Sequence, residues 1–145
     1  MTSIYTVDAS VFLSAFNPYG FGHEESYRLL DRFRTQATPI AEPTLLLPEV
    51  AAAVSRGRED ERLAREFAAA IRLLPHLIWI PLDDVLAQQA VDVAARHRLR
   101  GSDAVYAAVA QRFGSVLITL DREQRERVGQ VIVAQFPAEA LSEVG

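Results

Sequence analysis

The sequence predicts an α/β fold in which a mostly parallel sheet carries helices on its faces. Four short apolar runs, Ser3 to Val7, Leu77 to Ile80, Ser115 to Leu120 and Val131 to Phe136, have the composition of strands buried on both sides. They alternate with amphipathic or alanine-rich stretches long enough to be helices, and that alternation is how parallel sheets are built. The 145 residues suit a single domain spanning 1–145, and no repeat, linker or low-complexity tract interrupts them.

Taken in order, the first strand, Ser3 to Val7, runs straight into Asp8. Asn17 to Gly22 reads as a loop. Glu24 to Arg34 places Tyr27, Leu30 and Phe33 on one helical face, with Leu29 beside them and arginines opposite. Pro39 and Pro43 bracket a brief extended piece around Ile40. Thr44 to Arg56 is helical by composition and Gly57 supplies a stop signal. Pro48 inside it predicts a bend or a restart, because proline donates no hydrogen bond and its ring clashes with the preceding turn. Glu59 to Leu74 and Asp83 to His97 are longer helices, the second with Asp83 as its cap. Gly101-Ser102 opens a helix from Asp103 to Phe113, with Ser102 as the expected N-cap. The strand from Ser115 again ends at an acid, Asp121, which is placed to cap a helix starting at Arg122.

Composition removes several chemistries. Half of the residues are hydrophobic and 23% are charged, which supports a packed core. Cysteine is absent, so disulfides, thiolate nucleophiles and cysteine zinc sites are excluded. All 15 basic residues are arginine, which leaves no lysine for a Schiff base or a Walker-type phosphate contact. His23, His76 and His97 have no spacing that suggests a Ser-His-Asp triad, and His76 and His97 are expected at helix ends. The amino terminus lacks the pattern of a signal peptide and no apolar run approaches bilayer length, so a cytoplasmic protein without membrane contact is expected.

Asp8 and Asp121 close two strands at the edge where ligands gather in open parallel sheets. Asp103 starts a helix that must return near that edge to feed the strand at Ser115. Glu49 lies in an otherwise apolar helix, where a carboxylate needs solvent or a cation. Each of the three aspartates alone has an ordinary explanation as a cap, an Asx turn or a helix-dipole partner, and Glu49 does not. Together, with no lysine, they would repel one another unless a multivalent cation sat among them. Hard oxygen ligands favour Mg²⁺ or Mn²⁺, and the scarcity of histidine argues against zinc.

Four segments carry a resemblance to a known family: Val7-Asp8-Ala9-Ser10, Pro48-Glu49-Val50, Ser102-Asp103-Ala104-Val105-Tyr106-Ala107-Ala108-Val109-Ala110 and Thr119-Leu120-Asp121-Arg122. In this order they resemble the PIN domain ribonucleases, and especially the VapC-type toxins of prokaryotic toxin–antitoxin pairs. The resemblance implies a three-layer α/β/α sandwich with a mostly parallel sheet. It implies that Asp8, Glu49, Asp103 and Asp121 bind one or two Mg²⁺ or Mn²⁺ ions and are catalytic in endoribonuclease activity, with Ser10 and Thr119 supporting them. A fifth acid stands near the last motif in many relatives; Glu123 and Glu126 are the candidates here, against a plain solvated face shared with Arg122, Arg125 and Arg127. The resemblance also implies a cognate antitoxin as partner and a homodimer.

Arginines flank the later acids: Arg96, Arg98 and Arg100 precede Asp103, and Arg122, Arg125 and Arg127 follow Asp121. A guanidinium holds phosphate by a planar fork and stacks on bases, which suits RNA, although solvated helix faces explain the same residues individually. Arg56, Arg58 and Arg62 could serve the same groove or an antitoxin contact. The apolar residues Phe12, Phe16, Tyr19, Phe21, Leu29, Leu30 and Phe33 could form part of a partner surface or belong to the core. A haloacid-dehalogenase-type phosphatase and a phospho-receiver also place Asp after the first strand, but both use a lysine, and Ser10 stands where the phosphatase needs a second Asp. A catalytically inactive PIN-like module binding RNA or antitoxin, or a housekeeping PIN nuclease without an antitoxin, is the alternative.

Overall fold

A computed structural model of the chain describes residues 3–129 and 131–144. Its centre is a five-stranded, all-parallel sheet of β1 (Tyr5–Val7), β2 (Ile40–Pro43), β3 (Leu77–Ile80), β4 (Val116–Ile118) and β5 (Ala134–Gln135), in spatial order β3-β2-β1-β4-β5. Eight described helices flank it in an α/β/α arrangement. The chain builds outward from β1 through β2 to β3, then returns to the other side of β1 for β4 and β5. The order therefore reverses between β1 and β4, which makes a crevice at the carboxyl ends of those two strands.

The expected strand Leu77 to Ile80 is present with those bounds, and the other three are shorter than the apolar runs that announced them. The run Val131 to Phe136 pairs only at Ala134 and Gln135. The piece around Ile40 is a full member of the sheet, with all four β2 residues buried.

Helices α2 (His23–Thr35), α4 (Glu61–Arg72), α5 (Asp84–His97) and α7 (Arg122–Val128) follow the reading, with Asp60, Asp83 and Asp121 as side-chain N-caps of the last three. Two short helices, α1 (Ala9–Phe16) and α8 (Pro137–Glu143), were not foreseen. Three details correct the expectations. Helix α3 (Leu46–Arg58) begins at Leu46, so Pro48 falls in its first turn, where the missing N–H would have had no helical partner, and the helix runs unbroken to Arg58. Gly57 is helical, and the left-handed closing residue is Glu59 (φ 51°). Helix α6 (Gly101–Phe113) starts two residues early, with extended Arg100 as its N-cap position, so Ser102 lies inside the helix and does not cap it.

Helix α6 is buried on every side from Ala104 to Ala110. Its small alanines let it pack across β1, β2 and β4 beneath α5. This fixes the first turn of α6, and with it Asp103, over the sheet's carboxyl edge. No described helix is long and apolar enough to cross a membrane.

Gly22 caps α2 from the left-handed region (φ 73°), and a Cβ there would stand 2.8 Å from Leu120 Cδ2. Gly22→Ala should therefore lose stability by about 1–2 kcal/mol, read by urea denaturation. An unchanged midpoint would show that the loop relaxes without strain.

Candidate functional site

Asp8 is the anchor of the site. Its backbone N–H continues the β1–β4 ladder to the Ile118 carbonyl at 3.1 Å. Its side chain then caps α1 by accepting from Ser10 N at 3.0 Å. The Ser10 hydroxyl donates to the same carboxyl oxygen, and Thr119 Oγ1 donates to the other at 2.5 Å. Ser10 Oγ in turn accepts from Leu120 N at 3.1 Å, and Thr119 Oγ1 accepts from Asp121 N at 3.0 Å. Two hydroxyls thus tie the end of β1 to the end of β4 and hold Asp8 and Asp121 in one frame.

Asp8, Ser10, Glu49, Arg100, Ser102, Asp103, Tyr106 and Asp121 line one cleft of about 180 Å³. Arg100, Asp103 and Asp121 also line an adjoining cleft of about 360 Å³ with Leu99, Glu123, Gln124 and Arg127. All four acids from the sequence motifs are therefore brought to one opening. Glu49 reaches it from the first turn of α3, where its Oε1 accepts from Tyr106 Oη at 2.5 Å. Asp121 caps α7 by accepting from Gln124 N at 3.2 Å, and buried Gln124 donates to the Asp103 carbonyl at 3.3 Å.

Arg100 spans the mouth, with Nε 3.1 Å from Asp103 Oδ2 and Nη2 2.8 Å from Asp121 Oδ2. In this arrangement no three histidine, aspartate or glutamate side chains among the described residues converge on a point that would hold an ion. The Arg100 side chain is 75% exposed, so it can leave both carboxylates without unpacking the core.

The electrostatics follow from burial. Asp8 is pushed up to about 6, chiefly by desolvation and further by Asp103, against the pull of its Ser10 and Thr119 hydrogen bonds. Asp103 is also raised by burial, although Arg100 opposes the shift. Tyr106 is driven strongly upward by burial, with Glu42 and Glu49 adding to it, so its hydroxyl stays protonated and donates.

Glu42 went unrecognised in the sequence. It is a fully buried carboxyl on β2, held well above the usual range by desolvation despite the Val7 N–H it accepts, and it feels the charges of Asp8 and Glu49. The available signal was an acid between Ala41 and Pro43 in a run otherwise suited to a buried strand. Of the two expected candidates for a fifth acid, Glu123 lines the adjoining cleft with Asp103 and Asp121 while pairing with Arg127 along α7, and Glu126 sits near Arg125.

The arginines divide. Arg125 grips Glu139 by two bonds of 2.8 and 2.6 Å and lies over the Phe136 ring, which commits it to joining α7 and α8. Arg98 closes α5 in the left-handed region, and its carbonyl accepts from Arg127. Arg122 lines a separate cavity of about 350 Å³ with Phe21, Leu120 and Phe136, and Arg96 lies in the last turn of α5. Among the apolar residues noted in sequence, Phe12, Leu29 and Phe33 are core, whereas Tyr19 and Phe21 are exposed.

The PIN domain family model matches residues 5–129. The chain is a PIN domain. Solved structures share its fold: PAE2754 from Pyrobaculum aerophilum is 26% identical, covering 99% of this chain and 98% of that one with TM-score 0.68. VapC20 from Mycobacterium tuberculosis, a toxin that cleaves the sarcin-ricin loop, is 23% identical over 86% of this chain and 94% of its own, with TM-score 0.71. VapBC2 from Rickettsia felis, solved on a DNA fragment from its promoter, is 15% identical over 92% of this chain and 98% of its own, with TM-score 0.69. No curated protein sequence matches this PIN domain.

The raised carboxyl of Asp8 sets a pH dependence for the metal-free protein. The folded state keeps this proton up to about pH 6, whereas the unfolded chain releases it near 3.8. Stability supplied by the protonated form is complete below the lower value and is lost as pH rises through the upper one, at most roughly 3 kcal/mol. In EDTA, Asp8→Asn should be more stable than the parent at pH 7 and show no such gain at pH 4. Urea denaturation at the two pH values decides it, and an equal difference at both would remove desolvation of Asp8 as the cause.

Proposed function

We propose that this PIN domain is a metal-dependent endoribonuclease acting as the toxin of a toxin–antitoxin pair. The observation that carries this is the convergence of Asp8, Glu49, Asp103 and Asp121 on one cleft at the switch point of the sheet. PIN nucleases generally use divalent metal ions. The donor set here fits Mg²⁺ or Mn²⁺, because the cleft offers only hard oxygen ligands, and burial holds the Asp8 and Asp103 carboxyls above their ordinary range where a cation would bring them down. Asp8, Glu49, Asp103 and Asp121 would hold the ion, whose chemistry there would be to make a water nucleophilic near neutral pH and to neutralise charge on the attacked phosphate.

The chain's own residues prepare that chemistry. Ser10 and Thr119 fix both oxygens of Asp8, so one carboxylate orientation is held without solvent reorganisation. Tyr106 holds Glu49 through one oxygen and leaves the other for a ligand. Arg100 neutralises Asp103 and Asp121 while the cleft holds no cation and, once released, stands at the mouth as a phosphate contact. Arg96, Arg98 and Arg122, which line neither cleft, would carry RNA contact beyond the mouth; Arg125 is left out because Glu139 occupies it.

An antitoxin partner is supported by the likeness to VapC toxins and by an apolar groove of about 310 Å³ on the α1–α2–α4 side, lined by Phe16, Tyr27, Leu30 and Phe67 with core Phe12 at its floor. A homodimer and a cytoplasmic location belong to the same reading by family likeness.

The test is cleavage of total cellular RNA by the purified, antitoxin-free protein in Mg²⁺ or Mn²⁺. Fragments should appear with metal, vanish in EDTA and fall roughly 100-fold or more in Asp8→Asn, at or beyond the upper end of the ~10–100-fold range for changes outside the ligand shell. Cleavage that survives both EDTA and the substitution would refute the mechanism.

A further inference from the structure

Strands β1 and β2 pair at Tyr5 and Ile40, where Tyr5 N donates to the Pro39 carbonyl at 3.2 Å. In a regular parallel ladder the next bond from β1 would leave Val7 N for a β2 carbonyl. Val7 N instead donates to the side chain of Glu42, at 2.6 Å from Oε1. On its other side β1 stays in register with β4 through Val7 and Ile118. The two strands β1 and β2 therefore separate at their carboxyl ends, with a fully buried carboxyl standing where a backbone acceptor would be. The residue after Val7 is Asp8. The other oxygen of Glu42 has no hydrogen-bond partner among the described residues, and the charges of Asp8 and Glu49 both act on this carboxyl. A buried acid facing two other acids opposes folding, so its presence needs a role that an apolar residue would not fill.

We propose that Glu42 is a positioning residue of the cleft: its carboxyl replaces the ladder acceptor for Val7, keeps β1 apart from β2 at the sheet edge, and so holds Asp8 facing Glu49 and Asp103. The effect on cation binding rests on the divalent-metal reading above, whereas the effect on Val7 does not.

Glu42→Gln keeps an oxygen for Val7 N–H, and Glu42→Leu keeps the bulk without any acceptor. Two measurements on the intact chain separate them: Mn²⁺ affinity by isothermal titration calorimetry and exchange of the Val7 amide by NMR. Glu42→Gln should retain Val7 protection and Mn²⁺ affinity within about threefold of the parent. Glu42→Leu should speed Val7 exchange and weaken Mn²⁺ binding, each about tenfold or more, with its helical circular dichroism unchanged. The proposal is overturned if Glu42→Leu keeps the parent's Val7 protection or its Mn²⁺ affinity, or if Glu42→Gln loses as much as Glu42→Leu. Should Glu42→Leu not fold, loss of Val7 protection in Glu42→Gln overturns it and retention supports it. If the parent binds no Mn²⁺, the metal reading fails on its own and Val7 exchange still decides the role of Glu42.

Discussion

Carboxylates crowded together at one edge of a parallel sheet set the terms for everything around them. Asp8, Glu49, Asp103 and Asp121 share one cleft, and Glu42 lies buried behind it. The described charged group bridging them is Arg100, which reaches two of the five. Such an arrangement opposes folding unless the groups are individually held or jointly neutralised. The surrounding structure does the first: hydroxyls of Ser10 and Thr119 on Asp8, the Tyr106 phenol on Glu49, the Val7 amide on Glu42. Divalent cations are the natural means of the second, and two of them on the four motif acids would cancel the chain's net charge of -4.

The scaffold is arranged so that this crowding is rigid. The reversal of strand order between β1 and β4 leaves a crevice that no strand crosses, and the Ser10 and Thr119 hydroxyls stitch its two walls. Helix α6 is buried along most of its length, so Asp103 is set by core packing and not by a mobile loop. Arg100 lies just before that helix and is exposed, which makes it the movable part of an otherwise fixed site. The carboxylates are thus held by the core, while the charge that pairs with two of them stays on the surface.

Much of this was legible in the chain because the acids end strands or start helices. Asp8 and Asp121 follow continuous apolar runs, and such runs locate strand ends well. Glu42 was hidden because its strand has only four residues, bracketed by prolines that read as breakers, and burial of an acid cannot be seen in local periodicity. Pro48 misled in the other direction: the rule against helical proline holds for the interior, and its place in the first turn depends on where Leu46 begins the helix. The arginines could be counted but not assigned, since the grip of Arg125 on Glu139 links residues 14 apart in sequence on separate helices.

The central claim is that these carboxylates form one divalent-cation site. Titrating Mn²⁺ into the isotope-labelled protein and following amide signals tests it directly, because a bound paramagnetic ion broadens only nearby resonances. Broadening should appear first at Asp8, Ser10, Glu49, Asp103 and Asp121, and Asp103→Asn should weaken it. Broadening that is uniform along the chain, or centred on another cluster of acids, would contradict the account.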